Sequence, residues 1–312
     1  MAARFASIGE CMVEMAPQAD GLYRRGFAGD TLNTAWYLRA LLDRRRSMVK
    51  YVTGVGTDAL SDEMVDFIAR AGIDTTAVER IAGRTVGLYL ITLQGAERSF
   101  TYWRNESAAK LLASVGARLD AALADVDVAY FSGITLAILS PEHRRTLFAS
   151  LAKVRARGGE VVFDPNLRPR LWPDRATMAA AVIEGYRAAT IALPTSPDDA
   201  ELYGDADAVG TADRIAALGV QEIIVKAGAD PTLVRAGGLD AWVAAERVDN
   251  PVDTTGAGDS FNAGYLAARL AGGRSPAEAV RHGHAVAARV IQARGALIDM
   301  DLVADLAAGG AG

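Results

Sequence analysis

The sequence predicts an α/β protein: a mostly parallel central sheet flanked by helices, with a small β-sheet lid over one edge. Two observations lead there. Short β-branched runs alternate with longer helical segments through most of the chain, and two stretches, residues 11–30 and 85–105, replace that rhythm with alternating polar and apolar residues. The 312 residues, 51% hydrophobic and 23% charged with 31 Gly and 10 Pro, make a globular chain able to bury a large core. One domain over 1–312 is expected, its lid formed by about 11–30 and 85–105.

Taken in chain order, a helix is expected over Thr34–Leu42, a buried strand over Met48–Val52 and a helix over Asp62–Ala71. Leu88–Thr92 and Arg98–Trp103, joined across Gln94-Gly95-Ala96-Glu97, read as an antiparallel hairpin. Strands then follow over Val126–Phe131, Glu160–Phe163, Ala189–Leu193 and Glu222–Val225, and helices over Pro141–Arg157, Thr211–Leu218 and Pro276–Gln292. Three helix ends carry the glycine of a left-handed stop, at Gly72, Gly158 and Gly219. The tail Ala307–Gly312 is expected to fray.

A net charge of −5 gives no global positive field for nucleic acid or an anionic membrane, so an anionic ligand must be met locally. The bases are nearly all arginine; the lysines are Lys50, Lys110, Lys153 and Lys226. The lone Cys11 has no partner for a disulfide and no metal-ligand spacing, and reads as a core thiol of a reducing compartment. The stretch from Arg4 to Gly9 lacks the apolar region of a secretory signal, and no apolar run reaches the roughly 18 residues of a membrane span. A cytoplasmic protein is expected.

The most informative stretch is Asp253-Thr254-Thr255-Gly256-Ala257-Gly258-Asp259-Ser260-Phe261-Asn262-Ala263-Gly264-Tyr265. Its Gly-Ala-Gly turn opens a helix whose inward stripe is Phe261, Tyr265 and Ala268. Glycines at a helix N-terminus let the backbone approach a ligand and leave several N–H groups convergent, so the turn can cradle phosphate. The turn alone leaves two roles open for Asp259. It caps the helix, or it takes the proton of an alcohol attacking a phosphoryl group while the amides of Gly256 to Asp259 hold the developing charge. No G-x-x-x-x-G-K-S/T loop is present, and Gly54-Val55-Gly56 lacks the third glycine of a dinucleotide fingerprint.

Ala28-Gly29-Asp30-Thr31-Leu32-Asn33-Thr34 and Asp253-Thr254-Thr255-Gly256-Ala257-Gly258-Asp259 resemble the two signatures of the ribokinase-like (PfkB) carbohydrate kinases. Within that family the chain is similar to the 2-dehydro-3-deoxygluconate kinases over nearly its whole length, from Gly9-Glu10-Cys11-Met12-Val13-Glu14 to Val290-Ile291-Gln292-Ala293-Arg294-Gly295-Ala296. Tyr102-Trp103-Arg104-Asn105-Glu106, the segment from Ser132-Gly133-Ile134 to Leu139-Ser140, and Arg168-Pro169-Arg170-Leu171-Trp172 are shared on the way. The resemblance implies a ribokinase-like fold and ATP-dependent phosphorylation of the terminal C6 hydroxyl of 2-dehydro-3-deoxygluconate.

What the resemblance implies for single residues is specific. Asp259 is the base, with Gly256, Ala257 and Gly258 forming the anion hole. Gly29, Asp30 and Asn33 meet the sugar hydroxyls; on the residues alone a capped helix start is the other reading. A sugar acid brings a carboxylate, so its pocket is expected to hold a planar donor fork and few competing acids. The family places Arg104 and Arg168 in that role, with Tyr89 and Tyr102 lining the pocket, and Trp103 is expected to pack the lid.

On the nucleotide side, Lys226, Gly228 and Ala229 fall on the family's loop near the ATP phosphates and ribose, with Pro231 where a glycine is frequent. Asn166 and Arg168 are expected near the phosphates. The family's N-x-x-E pattern, tied to Mg²⁺ through water, falls on Ser196 and Asp199, and neither matches. The metal ligands stay unassigned, although Mg²⁺ is expected with ATP because phosphoryl transfer needs charge neutralisation. Family analogy adds a monovalent cation near the Asp253 and Gly295 backbones. The expected partners are the sugar acid and ATP, with no nucleic acid and no membrane, and a second copy paired through the lid sheet. Two rival readings remain at this point: another sugar kinase of the same fold, such as a fructokinase or a related keto-deoxy acid kinase, and a non-catalytic sugar-binding protein on that scaffold.

Overall fold

The computed structural model describes residues 3–94 and 97–307. β1 (Arg4–Ile8) opens a main sheet, and the chain leaves it at once for two strands of a second sheet, β2 (Met12–Pro17) and β3 (Tyr23–Ala28). α1 (Asp30–Leu41) returns it to β4 (Met48–Val55). After α2 (Ala59–Arg70) and the edge strand β5 (Val78–Arg80), the hairpin β6 (Gly87–Gln94) and β7 (Glu97–Trp103) rejoins the second sheet. The alternation is then regular: α3 (Gly116–Leu123), β8 (Val128–Ser132), α4 (Gly133–Ile138), α5 (Pro141–Ala156), β9 (Glu160–Asp164), α6 (Arg175–Ala188) and β10 (Ile191–Ala192). α7 (Ser196–Tyr203) and α8 (Ala208–Ala216) lead to β11 (Glu222–Val225). The hairpin β12 (Thr232–Ala236) and β13 (Leu239–Val243) is followed by α9 (Ala257–Leu266) and α10 (Pro276–Val290).

The main sheet has nine strands in the order β13-β12-β11-β10-β9-β8-β1-β4-β5, parallel from β11 to β5 and antiparallel through β12 and β13. Helices cover both faces, which explains why its strands read as continuous apolar runs. Alternation deals successive side chains to opposite layers: Val128 and Tyr130 of β8 join one core with Tyr51 and Phe261, while Ala129 and Phe131 join the other with Leu147 and Phe163. The second sheet has four strands, β3-β2-β6-β7, with β2 and β6 parallel and both hairpins antiparallel. The segments 11–30 and 85–105 do meet in one sheet, as expected. Gly95 and Ala96 of the expected turn, and the tail beyond Ala307, lie outside the described residues.

Helix starts are where the sequence expectations move most. α1 begins at Asp30 rather than Thr34, α2 at Ala59 rather than Asp62, and α8 at Ala208 rather than Thr211. Polar caps set the starts of α2 and α8, where Asp58 accepts from the Ser61 amide and Asp207 from the Gly210 amide, whereas α1 starts behind Gly29 with no side-chain cap. Pro141 and Pro276 do open their helices, behind Ser140 and Ser275 caps. The strand expected over Ala189–Leu193 keeps a regular ladder only at Ile191–Ala192. Its flanks still bond β9, through the Thr190 amide to Val161 O and the Leu193 amide to Phe163 O. Gly72, Gly158 and Gly219 all take positive φ at their helix stops.

Candidate active site

The carboxyl ends of β1 and β9 and the starts of α1 and α9 meet at a cleft of about 710 Å³, walled on one side by Met12, Tyr89, Phe100 and Tyr102 of the second sheet. Carboxyl ends of parallel strands are where such sheets bind ligands. Gly29, Asp30, Asn33, Arg104, Asn166, Arg168 and Lys226 line it, and so does the whole turn Gly256, Ala257, Gly258 and Asp259.

The turn is built as the sequence predicts. Gly256 takes φ 79°, left-handed backbone that suits glycine, and a side chain there would meet the Ala296 carbonyl at 2.9 Å. Asp253 fixes the approach to it, accepting from the Thr255 amide at 3.0 Å, the Thr255 hydroxyl at 2.7 Å and the Gly295 amide at 2.8 Å. Asp259 sits in the first turn of α9 but makes no side-chain cap. Its Oδ2 accepts from Asn33 Nδ2 at 2.7 Å. Burial, with the charges of Asp30 and Asp164, pushes its carboxyl up to about 7, against the pull of Asn33 and Lys226. A carboxyl raised toward neutrality therefore sits in the first turn of α9, beside the amides of a helix N-terminus. Asp30, bonded to Asn166 Nδ2 at 2.9 Å, is likewise raised by burial.

Gly29 has its own reason to be glycine. A side chain on it would lie 2.2 Å from the Glu10 carbonyl, so the start of α1 can press against the end of β1 only without one. Across the cleft, Lys226 Nζ donates to Asp164 Oδ2 at 3.0 Å and to Asn262 Oδ1 at 3.1 Å, and Asn262 Nδ2 donates to Asp164 Oδ2 at 2.6 Å. A side chain on Gly258 would come 4.0 Å from Nζ, which sets the ammonium beside the turn. Asp164 Oδ1 accepts the Asn166 amide at 3.0 Å and holds Asn166 at φ 33°, an uncommon conformation for a residue other than glycine.

The opposite end is aromatic and cationic. Tyr89 and Tyr102 face each other across β6 and β7 with ring centroids 5.9 Å apart, and the Tyr89 hydroxyl donates to Glu14. The Arg104 guanidinium lies 5.7 Å from the Tyr102 ring. Two expectations are corrected here. Acids are not scarce, because Glu10, Asp30, Asp164 and Asp198 all line the cleft beside Asp259, and Arg104 is paired with Glu10. Trp103 does not pack the second sheet: alternation turns it away from Tyr102, and it is 57% exposed.

Gly228 and Ala229 do not line the cleft. Asp199 does not either; it lies on the buried side of α7, where it accepts from the Tyr186 hydroxyl at 2.7 Å and from Arg214 at 2.9 Å, while its neighbour Asp198 lines the cleft. No cluster of three or more His, Cys, Asp or Glu placed to hold a metal occurs among the described residues. Sequence reasoning missed Glu10, Asp164, Asp198 and Arg170. For Glu10 and Asp164 a signal existed: both are acids at the carboxyl end of a buried parallel strand.

Residues 2–302 match the pfkB family carbohydrate kinase pattern. The chain is 42% identical to 2-dehydro-3-deoxygluconokinase of Escherichia coli (strain K12), covering 96% of this chain and 98% of that one. It is 41% identical to the enzyme of the same name from Dickeya dadantii (strain 3937), over 95% and 97%. The fold matches the crystal structure of a PfkB protein from Polaromonas sp. JS666 with a TM-score of 0.84 and 26% identity, over 98% of this chain and 99% of that one. Among the described residues, no helix is long and apolar enough to cross a membrane.

Proposed function

We propose, for a chain that belongs to the pfkB family of carbohydrate kinases, that the reaction is transfer of the ATP γ-phosphoryl group to the C6 hydroxyl of 2-dehydro-3-deoxygluconate. The observation that carries the chemistry is Asp259, held by Asn33 at the start of α9 with its carboxyl raised to about 7. Asp259 takes the hydroxyl proton, the alkoxide oxygen bonds to the γ-phosphorus, the bond from phosphorus to the bridging oxygen breaks, and ADP leaves. The amides of Gly256 to Asp259 face the charge on the transferred oxygens, and Lys226 adds its own beside Gly258. Mg²⁺ bound with the nucleotide would supply charge neutralisation; Asp198, a cleft carboxylate, is the residue offered to its water shell. A monovalent cation beside the Asp253 and Gly295 backbones belongs to the same reading.

Substrate choice rests on the relatives named above and on Arg104 and Arg168, cations for the sugar's carboxylate, with Gly29, Asp30 and Asn33 toward its hydroxyls. Asn166 and Arg168 are read toward the phosphates, and Gly228 and Ala229, outside the cleft lining, toward a ribose that would extend beyond it. We read 1–312 as one kinase domain in which 11–30 and 85–105 act as a lid that keeps water from competing as acceptor. Leu22, Tyr23 and Trp103 are exposed on or beside that sheet, the surface through which we place a second copy; light scattering tests it. The reading places the protein in the cytoplasm.

The experiment is ATP-dependent phosphorylation of 2-dehydro-3-deoxygluconate beside fructose, ribose and the galactonate epimer, with kcat/KM for wild type and Arg168→Ala. Preference for the keto-deoxy acid, lost in the variant, supports the reading. Preference for a neutral sugar keeps the chemistry of Asp259 and refutes the substrate.

A further inference from the structure

We propose that Glu10 is a positioning residue for Arg104: it sets the guanidinium that meets the substrate carboxylate, an inference that rests on the role given to Arg104 above. Glu10 follows β1 in the main sheet, and Arg104 follows β7 in the second sheet, so the pair crosses from one body of the cleft to the other. Arg104 Nη2 donates to Glu10 Oε2, and the two side chains are 9% and 1% exposed.

A buried ion pair is a poor source of stability, since apolar residues of the same volume usually serve as well. This one is also only half made. Glu10 Oε1 and Arg104 Nε are both buried with no hydrogen-bond partner among the described residues. They are the two atoms missing from a side-on carboxylate–guanidinium pair. The fold also makes room for the pair. Gly87 stands where a side chain would lie 2.8 Å from Glu10 Oε1 and 3.2 Å from the Arg104 Cβ. Glu10 thus holds the Nη2 side of the guanidinium, whose central carbon lies 5.7 Å from the Tyr102 ring, and Arg104 still lines the cleft in which an anion would sit.

The test compares Glu10→Gln, Arg104→Gln and the double variant with wild type, reading KM for 2-dehydro-3-deoxygluconate, KM for ATP, kcat and Tm. Glu10→Gln is expected to raise the sugar-acid KM about tenfold while kcat stays within about twofold and the ATP KM is unchanged. Adding it to Arg104→Gln should then change nothing further, because Glu10 acts only through Arg104. Gly87→Ala should raise the same KM. If Arg104→Gln raises the KM and Glu10→Gln does not, positioning is refuted and the role of Arg104 stands. If Arg104→Gln leaves the KM unchanged, that role fails and the proposal with it. A fall in kcat and a rise in both KM values alongside a lower Tm would make Glu10 merely structural and overturn the proposal. Should Glu10→Gln not fold, Glu10→Asp, which keeps the charge but withdraws it, must give the same KM rise.

Discussion

Asn33 Nδ2 and Asp259 Oδ2 lie 2.7 Å apart although 226 residues separate them in the chain. The bond ties the start of α1 to the start of α9 and bears on the charge of the carboxylate. Burial and Asp30 push Asp259 up, and the donor from Asn33 pulls the other way. The result is a carboxyl balanced near neutrality, the range in which a carboxylate accepts a proton most effectively.

Replacing Asp259 with Asn should lower kcat by about 10³-fold and leave substrate binding in place. Stability should move in the opposite direction. A carboxyl whose folded value is raised contributes stability below its unfolded range near 3.8 and loses it as pH rises through about 7. Asp259→Asn, which never ionises, should therefore be more stable than wild type at pH 8, by on the order of 1 kcal/mol, or roughly 2 °C in Tm. The gap should close at pH 4. Calorimetry at the two pH values checks this, and a gap independent of pH would contradict the burial of the charge.

The pH profile follows from the same group. With Asp259 active when ionised, kcat/KM should rise with pH to a plateau, with its midpoint near 7. Asn33→Ala removes a donor that favours the ionised form, so the midpoint should move up by about one unit and activity at pH 6 should fall about tenfold. A profile that stays in place would separate the two residues functionally.

Lys226 is buried against Asp164 and Asn262. Lys226→Met should destabilise the fold by about 3 kcal/mol, because it strands the Asp164 charge. Adding Asp164→Asn should restore much of that stability, measured by urea denaturation, without restoring turnover.

Gly29→Ala should destabilise by about 2 kcal/mol and raise the sugar KM, since the new methyl must displace the Glu10 carbonyl or the start of α1. Unchanged stability would show that this contact yields freely.

Much of this architecture is legible in the residues. The β-branched runs and the glycine stops locate the parallel sheet because burial on both faces and left-handed helix ends leave local marks. The Gly256–Asp259 turn is legible for the same reason. Long-range pairing is not. Nothing near Arg104 in the chain announces Glu10, and nothing near Lys226 announces Asp164; each partner arrives from a distant strand end. Asp199 shows the converse, since an acid that follows the family's spacing turns away from the cleft once Arg214 and Tyr186 offer it partners.

The long span between Asn33 and Asp259 also bears on synthesis. A chain growing from its N-terminus lays down Gly29, Asp30 and Asn33 early, while α9 and its turn do not yet exist. The carboxylate and the amides of the Gly256–Asp259 turn come on the same short segment, and Asp259 follows by 226 positions the asparagine that donates to it. A partly translated chain therefore holds one side of this contact long before the other is made.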